Sequence, residues 1–265
     1  MSEGKWGDLS ARVMSAIVMV AIGVGAIWQG GIWFQGLIIL VIGGMIWELA
    51  RMLAPEKPLL PVALGVLASF CLFAALGAGG GLVMSVLFLP ALIGLMLMKK
   101  DQLIFALYST GLMLAAIGLV MLRSMGEAGN YNVGLVAVLW LVSIVIASDV
   151  AGYFAGRIIG GPKFWPKVSP KKTWSGTVAG WILAALVGLA FALYADVPVV
   201  LAMCVSAVMS LAGQLGDIAE SAIKRHAGIK DSSNLIPGHG GLMDRFDALM
   251  GAALLLVILL LPVSG

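Results

Sequence analysis

Charged residues are scarce in this chain: only 11% of its 265 residues are Asp, Glu, Lys or Arg, whereas 61% are hydrophobic. A soluble domain is roughly one quarter charged and half apolar, so this composition excludes an ordinary water-exposed surface. A chain in lipid must bond its backbone internally, as helices or as a closed barrel. The apolar runs are about twenty residues long and do not alternate with polar residues, which favours helices.

Cysteine and histidine are also rare. The two cysteines, Cys71 and Cys204, both lie within apolar runs, which excludes a disulfide framework and a cysteine-rich zinc motif. With only two histidines, a zinc site is not expected either. We interpret His226 as an interfacial loop residue. His239 lies among glycines, where it either bonds a phosphate or holds the loop together.

We predict an all-α, polytopic integral membrane protein with nine transmembrane helices and a single domain, residues 1–265. Residues 1–132 contain helices with few motifs, and residues 133–265 contain the catalytic helices and loops. Turn signals at Gly77–Gly81 and Gly126–Asn132 are among those that separate the runs. The predicted spans are 12–28, 32–53, 59–77, 81–98, 103–122, 133–154, 175–195, 198–219 and 245–262.

The distribution of positive charge predicts the orientation. With the N-terminus inside and the spans alternating, all of the 16 Lys and Arg residues except Arg123 fall on the inside. The C-terminal Val263–Gly265 is then outside. Two long inside segments, 155–174 and 220–244, are linked by two helices joined by a short turn, so they reach the same membrane face.

Acidic residues within or beside apolar helices are costly and usually mark function. Glu48 is a weak case, because Arg51 lies three residues later and favours an ion pair at a helix end. Five others stand out: Asp149, Asp217, Glu220, Asp244 and Asp247. On one helix, Asp217, Glu220, Ser221 and Lys224 would form a single polar stripe.

A glycine-rich segment, 237–241, precedes Asp244 and Asp247, which share one face at the start of the last helix. A helix dipole alone favours carboxylates there. A cluster that leads into an apolar run instead suggests a metal site. Asp217, Asp244 and Asp247 together would suit Mg²⁺, which commonly bridges carboxylates to phosphates.

The segment 157–176 contains five basic residues and no acidic one. It is either an electrostatic anchor to anionic lipid or a phosphate cradle before a helix N-terminus. The cradle would use the donors Ser169, Lys171, Lys172, Thr173 and Ser175, beside the buried acid Asp149. Acids for a metal, bases for phosphates and a glycine loop at one membrane face fit phosphoryl or nucleotidyl transfer to a lipid headgroup.

The 27 residues from Ser221 to Asp247 closely resemble the signature of the phosphatidate cytidylyltransferases, also called CDP-diacylglycerol synthases. The residues that carry the resemblance are Ser221, Lys224, Arg225, Lys230, Asp231, Pro237, His239, Gly240, Gly241, Asp244, Arg245 and Asp247. Ser148, Asp149, Tyr153, Gly156 and Arg157, followed by residues 169–176, are also similar. The order Ala151–Gly152 and the presence of Lys171 depart from the usual pattern, but neither removes a charged group.

The resemblance implies transfer of a cytidylyl group from CTP to phosphatidic acid, giving CDP-diacylglycerol and pyrophosphate for phospholipid biosynthesis. It implies Mg²⁺, with a monovalent cation such as K⁺ beside it, and no nucleic acid partner. Asp217, Asp244 and Asp247 would be metal ligands, with Ser221 and Lys224 beside them. The expected substrate-binding residues are Asp149, Ser169, Lys171, Lys172, Thr173, Arg225, Lys230, His239 and Arg245.

Three other functions remain open from the residues: an anion transporter, a CTP-dependent lipid kinase and a non-catalytic scaffold. Crowding of the charges near one face disfavours the transporter, and the acidic set disfavours the scaffold. No transit-like leader is seen, so we expect a bacterial inner membrane with the active site facing the cytoplasm. Helix faces of small residues permit a homodimer.

Overall fold

The computed structural model describes the backbone of residues 3–78, 84–126 and 133–260, and the side chains of residues 12–77, 84–126 and 133–259. These ranges confirm the all-α class. The helices are α1 (Glu3–Gln29), α2 (Gly31–Leu53), α3 (Leu59–Ala78), α4 (Leu89–Leu97), α5 (Gln102–Ser124), α6 (Val133–Ile158), α7 (Trp174–Ala195), α8 (Val199–His226) and α9 (Met243–Leu260).

Seven of the described helices, α1–α3 and α5–α8, are long and apolar enough to cross a membrane. Helix α9 has 18 residues, but Asp244, Arg245 and Asp247 interrupt its apolar character. The predicted span 81–98 is represented by a 3-10 turn, Ser85–Phe88, and the nine-residue α4. Residues 81–83, most of the predicted turns 77–81 and 126–132, and the C-terminal 263–265 lie outside the described residues.

Proline and capping residues explain several helix ends. Pro55 and Pro58 lie between α2 and α3, where neither helix continues. Helix α7 starts after Thr173, whose hydroxyl accepts a hydrogen bond from the Gly176 amide. The same helix stops at Asp196, which adopts a left-handed conformation with φ of 51°.

A short antiparallel hairpin follows α6, where the sequence predicted only a loop. Strand β1 (Lys163–Trp165) pairs with β2 (Ser169–Thr173), with Lys163 opposite Thr173 and Trp165 opposite Ser169. The chain leaves α6 through Gly160 and Gly161, whose φ angles of +66° and +102° suit glycine. The hairpin presents Lys171 and Lys172 immediately before α7.

The chain forms two compact units. The N-terminal unit comprises Met1–Ser124 and His226–Phe246, and the C-terminal unit comprises Met125–Arg225 and Asp247–Gly265. In the N-terminal unit, α2 and α5 supply much of the core, including the fully buried Met45, Ile46, Leu49, Phe105 and Met113. The segment 226–246, which contains most of the signature, therefore belongs with the N-terminal helices.

Glycine allows two helices of the C-terminal unit to approach closely. A Cβ atom on Gly216 of α8 would lie 2.5 Å from the Asp247 carbonyl oxygen. A Cβ atom on Gly251 of α9 would lie 2.6 Å from the Ala212 carbonyl oxygen. Small residues at such crossings let backbones touch in a membrane protein. This crossing brings the polar stripe of α8 beside Asp247.

We expect Gly251→Ala to destabilise the protein by about 1–3 kcal/mol, because the added methyl group has no space beside the Ala212 carbonyl. The measurement is the midpoint of thermal unfolding in detergent. Gly25→Ala in α1 is the matched control, since a Cβ atom there meets nothing within 4 Å. Equal midpoints for the two variants would contradict the close packing of α8 and α9.

Candidate functional site

Three carboxylates converge in the C-terminal unit. Asp217 and Glu220 project from one face of α8, and Asp247 is brought to them by the crossing with α9. One oxygen atom of each carboxylate lies within 4.8 Å of the other two. Ser221 lies on the same stripe, and its hydroxyl donates to Asp217 Oδ1 at 3.3 Å. The stripe predicted from sequence thus forms one side of an acidic cluster.

Two lysines compensate part of this negative charge. Lys172 Nζ lies 2.6 Å from Asp217 Oδ2, and Lys224 Nζ lies 2.6 Å from Glu220 Oε2. Glu220 is fully buried, and a buried charge is costly unless it is paired, so the contact with Lys224 offsets part of that cost. Three carboxylates and two ammonium groups leave one formal negative charge. The cluster is therefore suited to bind a cation.

A cavity of about 350 Å³ lies in the same unit, where the end of α6 meets β2, α7 and α8. Its basic side chains are Arg157, Lys171 and Lys172. Lys172 belongs to both sites, because it lines the cavity and also pairs with Asp217. The remaining lining residues are small or polar: Ser148, Asp149, Gly152, Tyr153, Gly156, Thr173, Gly176, Thr177 and Gln214.

Gln214 organises one wall of this cavity. Its amide nitrogen donates to Ser148 Oγ at 3.1 Å and to the Thr177 carbonyl at 3.3 Å. Its amide oxygen accepts from Trp181 Nε1 at 3.0 Å. These bonds join α6, α7 and α8. Gln214 carries no charge and so did not stand out in the sequence, although it lies three residues before Asp217 and hence on the same side of the helix.

The start of α7 adds a favourable environment for anions. Thr173 caps this helix, and Lys171 and Lys172 directly precede the cap. A helix N-terminus carries partial positive charge and binds phosphates well. Thr173 lines the cavity together with both lysines, whereas Ser169 and Ser175, the other two donors predicted for the cradle, do not. The Ser175 hydroxyl donates instead to the Gly160 carbonyl, so the phosphate cradle stays a prediction.

The N-terminal unit holds the glycine-rich signature loop. Asp244 Oδ2 accepts bonds from the Ser232 amide at 2.9 Å, the Ser232 hydroxyl at 2.8 Å and the Gly241 amide at 2.8 Å. His239 Nδ1 lies 2.8 Å from Ser15 Oγ on α1. Arg245 Nε donates to the His239 carbonyl at 3.0 Å. His239 and Arg245 therefore both help to hold this loop in shape.

Glu48 has a role that the sequence did not indicate. Its carboxylate is fully buried and accepts bonds from the Ser232 and Ser233 hydroxyls and from the Leu242 and Met243 amides. The predicted ion pair with Arg51 is wrong. The Arg51 guanidinium instead lies over the Trp47 ring, 5.3 Å from its centroid.

The remaining predicted site residues fall in three places. Lys171, Thr173 and Asp149 line the cavity, but Asp149 is exposed there and the prediction that it is buried is wrong. Ser169 begins β2 opposite Trp165. Arg225 and Lys230 are exposed, Arg225 near the end of α8 and Lys230 beyond it. For the predicted metal set, the structure groups Asp217 and Asp247 with Glu220, while the described hydrogen bonds of Asp244 lie within the N-terminal unit.

The Lys224–Glu220 pair predicts a non-additive effect on stability. Lys224→Met leaves Glu220 buried without this partner, so we expect a loss of about 3–5 kcal/mol. Adding Glu220→Gln removes the buried charge and should recover much of that loss. Thermal unfolding in detergent of the two single variants and the double variant measures the coupling. Strictly additive losses would argue against the pair.

Comparison with known proteins shows the family to which the chain belongs. A model of the cytidylyltransferase family matches residues 10–262. The phosphatidate cytidylyltransferase of Brucella suis biovar 1 (strain 1330) is 42% identical over 145 residues, which are 54% of this chain and 52% of that protein. The protein of the same name from Bacillus subtilis (strain 168) is 39% identical over 119 residues, 44% of each chain. The chain thus spans about half the length of the curated relatives it matches. Because the family match covers nearly the whole sequence, the chain belongs to the cytidylyltransferase family.

Proposed function

We propose that this protein transfers a cytidylyl group from CTP to phosphatidic acid, giving CDP-diacylglycerol and pyrophosphate for phospholipid biosynthesis. The observation that carries the proposal is Lys172, which pairs with the acidic cluster at Asp217 and also lines the basic cavity. A cation site and a phosphate site therefore meet at one side chain. The names of the relatives supply the substrates.

The donors in the acidic cluster fit a hard divalent cation. Mg²⁺ binds oxygen ligands at about 2.0–2.1 Å, so two of its ligand atoms lie at most about 4.2 Å apart. Three ligands of one octahedral ion cannot all lie opposite one another, and neighbouring ligand atoms are about 3 Å apart. The oxygens of Asp217, Glu220 and Asp247 lie within 4.8 Å of one another, so closing each pair by at most about 2 Å would let them chelate one ion. We propose these three residues as the Mg²⁺ ligands. The ligand role that the resemblance implies for Asp244 stays a separate prediction. A monovalent cation such as K⁺ beside Mg²⁺ is part of the same proposal.

The cavity would hold the charged part of CTP. Arg157, Lys171 and Lys172 would neutralise the triphosphate, and the capped start of α7 would orient it. The polar wall with Ser148, Asp149 and Gln214 would face the nucleoside. Lipid tails of phosphatidic acid would remain in the bilayer while its phosphate enters between the helices.

The reaction needs positioning and charge neutralisation rather than a protein nucleophile. The phosphatidate phosphate is ionised at neutral pH, and one of its oxygens attacks the α-phosphorus of CTP. The new P–O bond forms as the bond from the α-phosphorus to the bridging oxygen breaks, and pyrophosphate leaves. Lysine and arginine donors balance the negative charge that builds up on the departing oxygen. Bound Mg²⁺ would supply further neutralisation of the phosphates.

We further propose nine membrane spans, with the N-terminus and the active site in the cytoplasm and the C-terminus outside, in a bacterial inner membrane. The seven long apolar helices, the apolar Ser85–Leu97 segment and α9 together support this count. The concentration of Lys and Arg on one side supports the orientation. A homodimer is compatible with the exposed apolar faces of the helices.

The proposed cytidylyl transfer can be tested by identifying its products. Purified protein incubated with labelled CTP, phosphatidic acid and Mg²⁺ should release pyrophosphate and form a CDP-lipid. We expect Asp217→Asn, Asp244→Asn and Asp247→Asn each to lower the turnover at least about 100-fold at saturating Mg²⁺. Asp196→Asn is the matched control, because this exposed aspartate ends α7 in a left-handed conformation that asparagine also adopts.

Two results of this assay would contradict the proposal. Release of CDP in place of pyrophosphate would identify a lipid kinase. Near-normal turnover of Asp217→Asn or Asp247→Asn would show that the acidic cluster takes no part in the reaction. Near-normal turnover of Asp244→Asn would contradict only the role predicted for that residue.

The proposed topology has its own test. A C-terminal alkaline phosphatase fusion should be active in a bacterial host, because an odd number of spans exports the C-terminus. A C-terminal green fluorescent protein fusion should remain dark for the same reason. The reverse pattern would show that the span count is even or the orientation inverted.

A further inference from the structure

We propose that Glu48 is a positioning residue for the reaction, by which the N-terminal helices set the geometry of the signature loop and of Asp244. The inference rests on the proposed function for its catalytic consequence. Its structural basis is the set of contacts made by the Glu48 carboxylate on α2. The first of its partners along the chain, Ser232, lies 184 residues away in sequence. All of these contacts lie within the N-terminal unit.

The four donors divide evenly between the two oxygens of Glu48. Oε1 accepts from the Ser233 hydroxyl and from the Leu242 amide at 2.9 Å. Oε2 accepts from the Met243 amide at 2.8 Å and lies 3.2 Å from the Ser232 hydroxyl oxygen, whose single proton it shares with Asp244 Oδ2. Each oxygen thus faces one hydroxyl and one backbone N–H group. The carboxylate holds two separate stretches of the loop at the same time.

Glu48 is a buried charge that depends on neutral donors. Within residues 12–77, 84–126 and 133–259, no Lys or Arg side chain forms an ion pair with it. Two of its donors, Leu242 and Met243, lie at the start of α9, where the helix dipole favours a negative charge. The stabilisation of this carboxylate therefore requires that the loop keep its shape.

Ser232 connects Glu48 to Asp244. Its hydroxyl oxygen lies 3.2 Å from Glu48 Oε2 and 2.8 Å from Asp244 Oδ2, and its amide also donates to Asp244. Gly241 is packed so tightly between Ser232 and Glu48 that a Cβ atom would overlap both. A change at Glu48 is thus passed to the Asp244 carboxylate through one intervening residue.

Glutamine is isosteric with glutamate but does not satisfy this arrangement. In either orientation of the side-chain amide in Glu48→Gln, its NH₂ group would face a backbone N–H group, which has no lone pair to offer. The substitution therefore breaks at least one hydrogen bond at the start of α9. Removal of a hydroxyl is milder, since Ser233→Ala deletes one donor to Glu48 and makes no change at Asp244.

We expect Glu48→Gln to lower kcat by about 10–100-fold and to raise the Mg²⁺ concentration needed for half-maximal rate, with a smaller change in the KM for CTP. Ser232→Ala should shift the Mg²⁺ dependence in the same direction, and Ser233→Ala should have a lesser effect. Arg123→Gln is the matched control. This buried side chain bonds the Ile27 and Trp28 carbonyls of α1, so its loss should lower stability without moving the Mg²⁺ dependence.

Amide hydrogen exchange provides a readout that needs no substrate. Peptides covering residues 232–243 should exchange faster in Glu48→Gln than in wild type, while the rest of the N-terminal unit is unchanged. Normal kcat and Mg²⁺ dependence in Glu48→Gln, or faster exchange spread evenly over the unit, would overturn the proposal. If wild type makes no CDP-lipid, the proposed function fails, and local exchange still decides whether Glu48 holds the loop.

Discussion

The mutual repulsion of Asp217, Glu220 and Asp247 is the constraint that shapes the C-terminal unit. Two like unit charges about 5 Å apart repel by roughly 3 kcal/mol at an effective dielectric constant of about 20. Lys172 and Lys224 offset part of this repulsion. Lys172 reaches the cluster from the β hairpin, and its contacts with Asp217 and the Gln214 carbonyl hold the hairpin against α8. The same lysine lines the basic cavity, which therefore lies beside the acids.

The N-terminal unit handles buried negative charge differently. Glu48 is surrounded by hydroxyl and amide donors, and Asp244 is bonded to the same loop through Ser232 and Gly241. Neutral donors at a helix start stabilise a carboxylate only while the backbone is held in place. In the C-terminal unit, the acids are paired with Lys172 and Lys224, and Lys172 also lines the basic cavity. In the N-terminal unit, the carboxylates of Glu48 and Asp244 hold the glycine-rich loop in shape.

Helices and the polar stripe could be read from the sequence because they depend on local spacing. The apolar runs predicted the helices, and Asp217, Glu220, Ser221 and Lys224 follow from one helical period. Glu48 was misassigned because local spacing pointed to Arg51, while its real partners lie far along the chain. The hairpin was missed because Pro and Lys give no strand signal, and α4 proved shorter than its apolar run.

The most direct test of the central claim is a Mn²⁺ titration of the purified protein, followed by electron paramagnetic resonance as free Mn²⁺ disappears. Mn²⁺ takes oxygen ligands as Mg²⁺ does. The arrangement of Asp217, Glu220 and Asp247 predicts one tight site in wild type, with binding that is further strengthened by CTP. The site should be lost in an Asp217→Asn/Asp247→Asn double variant that remains folded. Unchanged Mn²⁺ binding in that variant would contradict a cation site at this cluster.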